Sequence, residues 1–420
     1  MSMLQLWFVA NTVLWTFSIE VGGLKLGLNV VVLMIAGAVW LGRIRKVSFF
    51  STKATAALFV YMALSWMLAL SGPCNNQFLK AALTAPILPF LVLVGLELGR
   101  RSSDNDWIKL EKTAAWVLLA AFLGLAVEVI VPQFLPANQG FRAQGKYSGL
   151  FREPSHVAFS LFPCIAVLLV AGNKRARQIG WAGLFGLMVL SRTSTLIALI
   201  GVWLLYRLLV QKKNGRAALL LVGTASLIAI ASAINYETLV APTLERVVGI
   251  EASDQTDNIS SLVYVQGWED TWANLIRTHG RGLGVNMMGC SPLPDVPARG
   301  LLSTFFAAGL NAEDGSFTFA KIVSETGLVG IAFYGVIIWA WIRQEKRLIR
   351  EGHSIHRSAV AARSAIIFCF VASSFIRGLG YFSGGLLLWV VAFSERPVIK
   401  PSQPSDLNSK GKIHSARHVS

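Results

Sequence analysis

Apolar runs follow one another along this chain, each bounded by polar or basic residues and many approaching the ~20 residues that cross a bilayer. That succession predicts an all-α, polytopic membrane protein, because a helix satisfies its own backbone hydrogen bonds where no water is available. We read about twelve runs, approximately Leu4 to Phe17, Leu24 to Gly42, Ala54 to Leu70, Ala81 to Leu98, Ala114 to Val131, Ser155 to Ala171, Ile179 to Leu190, Thr193 to Leu209, Ala217 to Ile234, Phe319 to Trp341, Val360 to Ile376 and Tyr381 to Phe393. Charged residues make up only 14% of the chain, where a soluble domain carries about 25%. The mean hydropathy is +0.57. The expected organisation is nine transmembrane helices in residues 1–234, a large loop in 235–318, three more helices in 319–395 and a disordered tail in 396–420.

Lysine and arginine in short loops stay on the cytoplasmic side. The basic clusters follow alternate runs: Arg43, Arg45 and Lys46, then Arg100 and Arg101, then Lys174, Arg175 and Arg177, then Lys212, Lys213 and Arg216, then Arg343, Lys346, Arg347 and Arg350. Both termini are therefore expected in the cytoplasm. These anchors, with Lys410, Lys412 and Arg417 in the tail, account for the formal charge of +16 without a nucleic-acid partner. The first run lacks a basic leader and a small-residue cleavage site, so no cleaved signal peptide is expected.

Against this background Ser191-Arg192-Thr193 stands out, because it places a guanidinium between two apolar runs. A cation at membrane depth faces a cavity or a partner. An anion is the partner it suits, although a plain helix-end anchor would look the same. Gly149-Leu150-Phe151-Arg152-Glu153-Pro154-Ser155-His156-Val157-Ala158 opens the sixth run from the outer side and packs a cation, a carboxylate, a hydroxyl and an imidazole together. Pro154 suits a first helical turn, where exposed amides and the helix dipole favour an anion.

The loop from about Asn235 to Thr318 is acidic, and within it Leu262, Trp268, Trp272, Leu275 and Ile276 recur at spacings that suggest one face of a helix lying on the membrane surface. Cys74, Cys164, Cys290 and Cys369 have no metal-ligand spacing, and no metal site is expected. Cys74 and Cys290 share the outer side, so a disulfide there would join those two.

The Gly149 to Ala158 stretch resembles the signature of bacterial O-antigen and exopolysaccharide polymerases. Ser191-Arg192-Thr193 resembles the serine-arginine motif that those polymerases share with the O-antigen ligases. Trp268-Glu269-Asp270-Thr271-Trp272, leading to Gly282-Leu283-Gly284-Val285-Asn286, is similar to the family's large periplasmic loop with its Gly-x-Gly element. Ser324-Glu325-Thr326-Gly327-Leu328-Val329-Gly330 resembles the Glu-x-Gly start of the helix after it. The resemblance spans roughly Phe141 to Gly330.

It implies a glycosyltransferase of the bacterial inner membrane that works at the periplasmic face on a glycan carried by undecaprenyl diphosphate, needs no cofactor, and is accompanied by a chain-length regulator. A diphosphate leaving group needs fixed positive charge, and arginine forks match phosphate oxygens. The candidates are Arg152, Arg192 and Arg281, with Arg142 and Arg377 behind them. The first three are expected to face one cavity open to the outside. The acceptor hydroxyl needs a base, for which Glu153 with His156 comes first and Asp314 next; Glu313 is a further carboxylate nearby, and Glu128 is expected as a buried partner. Ligases carry a histidine shortly before the Glu-x-Gly element, where this chain reads Glu313-Asp314-Gly315-Ser316-Phe317. An O-antigen ligase and a polysaccharide transporter or flippase stay open as alternatives.

Overall fold

The computed structural model describes residues 1–21, 24–69, 75–131, 146–151, 153–210, 259–289, 293–307, 309–350, 355–377 and 380–394. These residues are mostly helical. Helix α1 (Met3–Thr12) opens on a capping box, in which Ser2 and Gln5 satisfy each other's backbone amides. A 3-10 turn and a short antiparallel hairpin, β1 (Ser18–Val21) with β2 (Leu24–Gly27), then lead to α2 (Leu28–Arg43). The first and second expected runs are thus shorter helices separated by a hairpin. Helices α3 (Phe49–Ala69), α4 (Asn75–Arg101) and α5 (Asp104–Ile130) follow, and then α6 (Pro154–Leu169), α7 (Lys174–Ser191) and α8 (Ser194–Val210).

Three described stretches are long and apolar enough to cross a membrane: Leu79–Arg101, Asp104–Ile130 and His356–Ile376. Shorter apolar helices pack beside them, among them Leu28–Arg43, Phe49–Ser65, Pro154–Leu169 and Gly384–Phe393. The expected ninth run, Ala217 to Ile234, lies outside the described residues, as do the tail from 396 and both Cys74 and Cys290. Large apolar side chains such as Ile35, Val60, Trp116, Leu123 and Trp339 are exposed on the outside of the bundle. A surface of that kind suits lipid better than water.

Helix α6 is the centre of the bundle. Each of its 16 residues is buried, and α1, α5, α7, α8 and α13 (Ile355–Ile376) surround it. At ~1.5 Å per residue it rises only about 24 Å, less than the ~30 Å hydrocarbon core.

After α8 the description resumes at α9 (Ile259–Arg277), followed by α10 (Pro297–Thr304), α11 (Thr318–Thr326) and α12 (Leu328–Arg350). The run expected to be one helix from Phe319 to Trp341 is two, because the backbone turns at Gly327 with φ +63° and ψ −136°. That conformation is close to glycine-only. A Cβ at Gly327 would also lie 2.0 Å from the Gly280 carbonyl oxygen. The expected apolar stripe of α9 divides as well. Leu262 is buried against Leu302 of α10, and Trp268 joins the rings of Phe317, Phe319 and Phe375. Trp272 and Ile276 are left exposed. The helix packs on α10 and α11.

The bundle has two chemically different ends. At one, Arg101 bonds Glu97 and the Lys46 carbonyl, His356 contacts Asp104, and Ser394 of the segment after α14 (Gly384–Phe393) bonds Leu96. This end carries the basic clusters around Arg43, Arg101 and Arg177. The other end gathers the C-terminus of α5 and the N-terminus of α6, together with the turns between α7 and α8 and between α13 and α14. Glu153, His156, Arg192 and Arg377 lie there.

Candidate functional site

The segment before α6 is docked by a buried carboxylate. Glu128, fully buried near the end of α5, accepts hydrogen bonds at Oε2 from the Ser148 and Gly149 amides at 2.8 and 2.6 Å. Glu128 is thus buried, as expected, and its described partners are backbone amides. Tyr147 donates its amide to Leu190 O at 3.1 Å, tying the same segment to the end of α7. These contacts fix where Glu153 stands as the N-cap of α6, with Pro154 in the first turn and no side chain capping it.

Three expected site residues meet at that N-terminus. His156 Nε2 lies 2.7 Å from Glu153 Oε1, and Arg377 Nη2 donates to the same oxygen at 2.5 Å. Burial pushes the Glu153 carboxyl up, but the His156 contact and the Arg377 guanidinium outweigh it and hold the group below the ordinary carboxylate value. Its carboxylate is ionised at neutral pH. His156 is 9% exposed, the Trp15 ring stands 5.3 Å away by centroids, and neither imidazole nitrogen has a well-directed hydrogen bond. The ring is packed beside Trp15 with its Nε2 against the Glu153 carboxylate.

The remaining candidates stand apart from this group. Arg142 and Arg152 lie outside the described residues. Arg192 caps α7 in the left-handed conformation, φ 46° and ψ 50°, and its Nε bonds Val189 O at 3.0 Å. Arg281 is exposed and bonds Thr278 O at 3.3 Å. Asp314 is exposed in the turn before α11, and its neighbour Glu313 contacts Lys80 at 2.5 Å. Among the described residues no hydrogen bond or ion pair joins Arg192, Arg281 or Asp314 to Glu153. The expected common cavity for residues 152, 192 and 281 includes Arg152 and so lies partly outside the described residues; among the described arginines, it is Arg377, a reserve by sequence, that contacts Glu153.

Sequence reasoning missed a second polar cluster beside the first. Glu325, 1% exposed, accepts at Oε2 from the Asn286 amide at 2.7 Å and the Tyr381 hydroxyl at 2.6 Å. Its Oε1 accepts from the Met288 amide at 3.2 Å and lies 3.1 Å from Lys321 Nζ. The Tyr381 phenol is a donor to this carboxylate from a buried position. The Gly282-Leu283-Gly284 element lies against this cluster, but the Leu283 and Gly284 amides bond Ser324 O and Glu325 O at 3.0 and 2.9 Å. They close the fold and do not present themselves to a diphosphate. The visible signal was a lysine and a glutamate one helical turn apart, Lys321 and Glu325, on a helix with no other charge.

No protein-family model matches the chain, and no curated protein matches it.

Proposed function

We propose that the protein is a glycosyltransferase that polymerises oligosaccharide repeat units carried on undecaprenyl diphosphate. The observation that carries this reading is the meeting of Arg377, Glu153 and His156 at the mouth of α6, a guanidinium, a carboxylate and an imidazole at the end of an apolar bundle. The orientation that goes with it puts the basic end and both termini in the cytoplasm, and the triad at the periplasmic face of the bacterial inner membrane. The full reading is a polytopic bundle of about twelve transmembrane helices, with residues 235–318 as its large periplasmic loop.

In this mechanism Glu153, ionised and reachable beside Arg377, accepts the proton of the acceptor sugar hydroxyl, and the buried His156 imidazole holds the carboxylate in place. The hydroxyl oxygen bonds to the anomeric carbon of the donor, the bond from that carbon to the phosphate oxygen breaks, and the lipid diphosphate leaves with the electron pair. Negative charge grows on the departing phosphate. Arg377 can meet it because a guanidinium holds Glu153 through one nitrogen and offers others to an oxyanion. Arg192 and Arg281 are further cations assigned to the diphosphate, and a membrane-embedded chain-length regulator is the expected partner. No nucleotide and no cofactor enter, since the activated phosphoester drives the transfer.

The test is elongation of a purified lipid-diphosphate-linked oligosaccharide by the reconstituted protein without nucleotide or ion gradient. Longer lipid-linked products, lost in Arg377→Ala and His156→Ala, are expected. Transfer only to a lipid A-core acceptor would make the protein a ligase, and glycan movement without bond formation would make it a transporter.

A further inference from the structure

We propose that Glu325 is a positioning residue for Arg377, acting through Tyr381. This rests on the glycosyltransferase reading above, since Arg377 is the group whose placement matters there.

Arg377 follows the last residue of α13 and is held on both sides by elements distant in sequence. Before it, Phe375 stacks on Phe319 of α11 with ring centroids 4.7 Å apart, and the Phe375 carbonyl accepts the Tyr264 hydroxyl of α9 at 3.1 Å. After it, Tyr381 donates to Glu325 at 2.6 Å, and Gly380 turns the chain with φ +82°, its carbonyl accepting the Ser383 amide at 3.1 Å. Arg377 thus stands in the chain between two feet, Phe375 on α9 and α11 and Tyr381 on α11.

Glu325 is the firmer foot. Its two oxygens collect four donors: the amides of Asn286 and Met288, the Tyr381 hydroxyl and the Lys321 ammonium. Lys321 is itself buried and bonds the Glu313 carbonyl at 2.5 Å. A carboxylate held from four sides in a dry setting has one preferred position, and the tyrosine that reads this position is four residues from Arg377. The loop carrying Gly284 and Asn286 is seated by the same carboxylate. Rearrangement of that loop therefore moves the foot on which Arg377 rests. A side chain that never touches substrate controls where the diphosphate-binding cation stands.

Tyr381→Phe removes the hydroxyl and keeps the ring, so it tests the link without opening a cavity. In the reconstituted elongation assay kcat is expected to fall about tenfold, the effect of losing one hydrogen bond to a charged group, with KM for the lipid-linked donor unchanged. Placed in an Arg377→Lys background, the same substitution is expected to add little further loss, because its effect passes through the guanidinium. Amide exchange across residues 375–383 is expected to rise in Tyr381→Phe whether or not activity is measured. A wild-type kcat, a full tenfold loss repeated in the Arg377→Lys background, or unchanged exchange would each overturn the coupling. Arg377→Lys elongating at the wild-type rate would instead remove Arg377 from the reaction and sink the parent reading, leaving the exchange result to stand by itself.

Discussion

Arg377 and Glu153 are 224 residues apart in the chain and meet at 2.5 Å. The contact joins the end of α13 to the start of α6, and His156 one turn into α6 closes on the same carboxylate oxygen. Side-chain exposure falls from 34% at Arg377 through 28% at Glu153 to 11% at His156. The group is therefore graded from a cation that solvent or a ligand can reach to an imidazole shielded by Trp15.

That gradation separates function from stability. An ion pair about one-third exposed contributes only about 0.5 kcal/mol to folding. Arg377→Ala and Glu153→Ala are thus expected to leave thermal unfolding of the detergent-solubilised protein nearly unchanged while removing long glycan chains from cells. A large fall in unfolding temperature for either variant would assign the pair a structural role.

The pH dependence of Glu153 has a definite sign. Its folded pKa lies below the ordinary value of 4.5, so its contribution to stability is fully present above the unfolded value and is lost as pH falls through the folded one. Unfolding temperatures of wild type and Glu153→Gln, measured from pH ~6 down to pH ~3, should converge as the medium is acidified. Divergence in acid would mean that burial outweighs the His156 and Arg377 contacts.

Gly327 sits where a side chain has no room. Gly327→Ala is expected to cost about 3 kcal/mol from backbone conformation alone, with more from the clash against Gly280 O. Gly335→Ala, later in α12, supplies the contrast, since a Cβ there meets nothing within 4 Å; a gain of about 0.5 kcal/mol is expected for a helix interior. Equal behaviour of the two variants in thermal unfolding would show that the turn at Gly327 is not required.

These residues also show what could be read from the chain and what could not. The helical character, the crowding of charge around Glu153 and His156 and the first-turn role of Pro154 follow from local pattern, because apolar periodicity and proline chemistry act over a few residues. Arg377 was visible as a cation between two apolar runs, yet nothing local ranks it above Arg281, since its rank depends on a contact across 224 residues. The break at Gly327 was hidden for the same reason. Polar residues from Lys321 to Thr326 precede it, but only the distant Gly280 turn shows why glycine is needed there. Helices α6 and α14, at 16 and 10 residues, end within a few residues of the runs read for them, Ser155 to Ala171 and Tyr381 to Phe393, and their burial inside the bundle lets such short apolar helices stand.

Arg192 offers the clearest separation of two roles in one residue. Its backbone is left-handed at the C-cap of α7, a position where glycine relieves a strain of about 1 kcal/mol. Arg192→Gly is therefore expected to unfold at or slightly above the wild-type temperature, the lost bond to Val189 O offsetting part of the gain. If the guanidinium also holds the diphosphate, the same stable variant loses long glycan chains, and Arg192→Lys recovers them only in part because an ammonium cannot fork across two phosphate oxygens. Full-length chains in Arg192→Gly would reduce the residue to a helix cap and leave the leaving-group charge to Arg377.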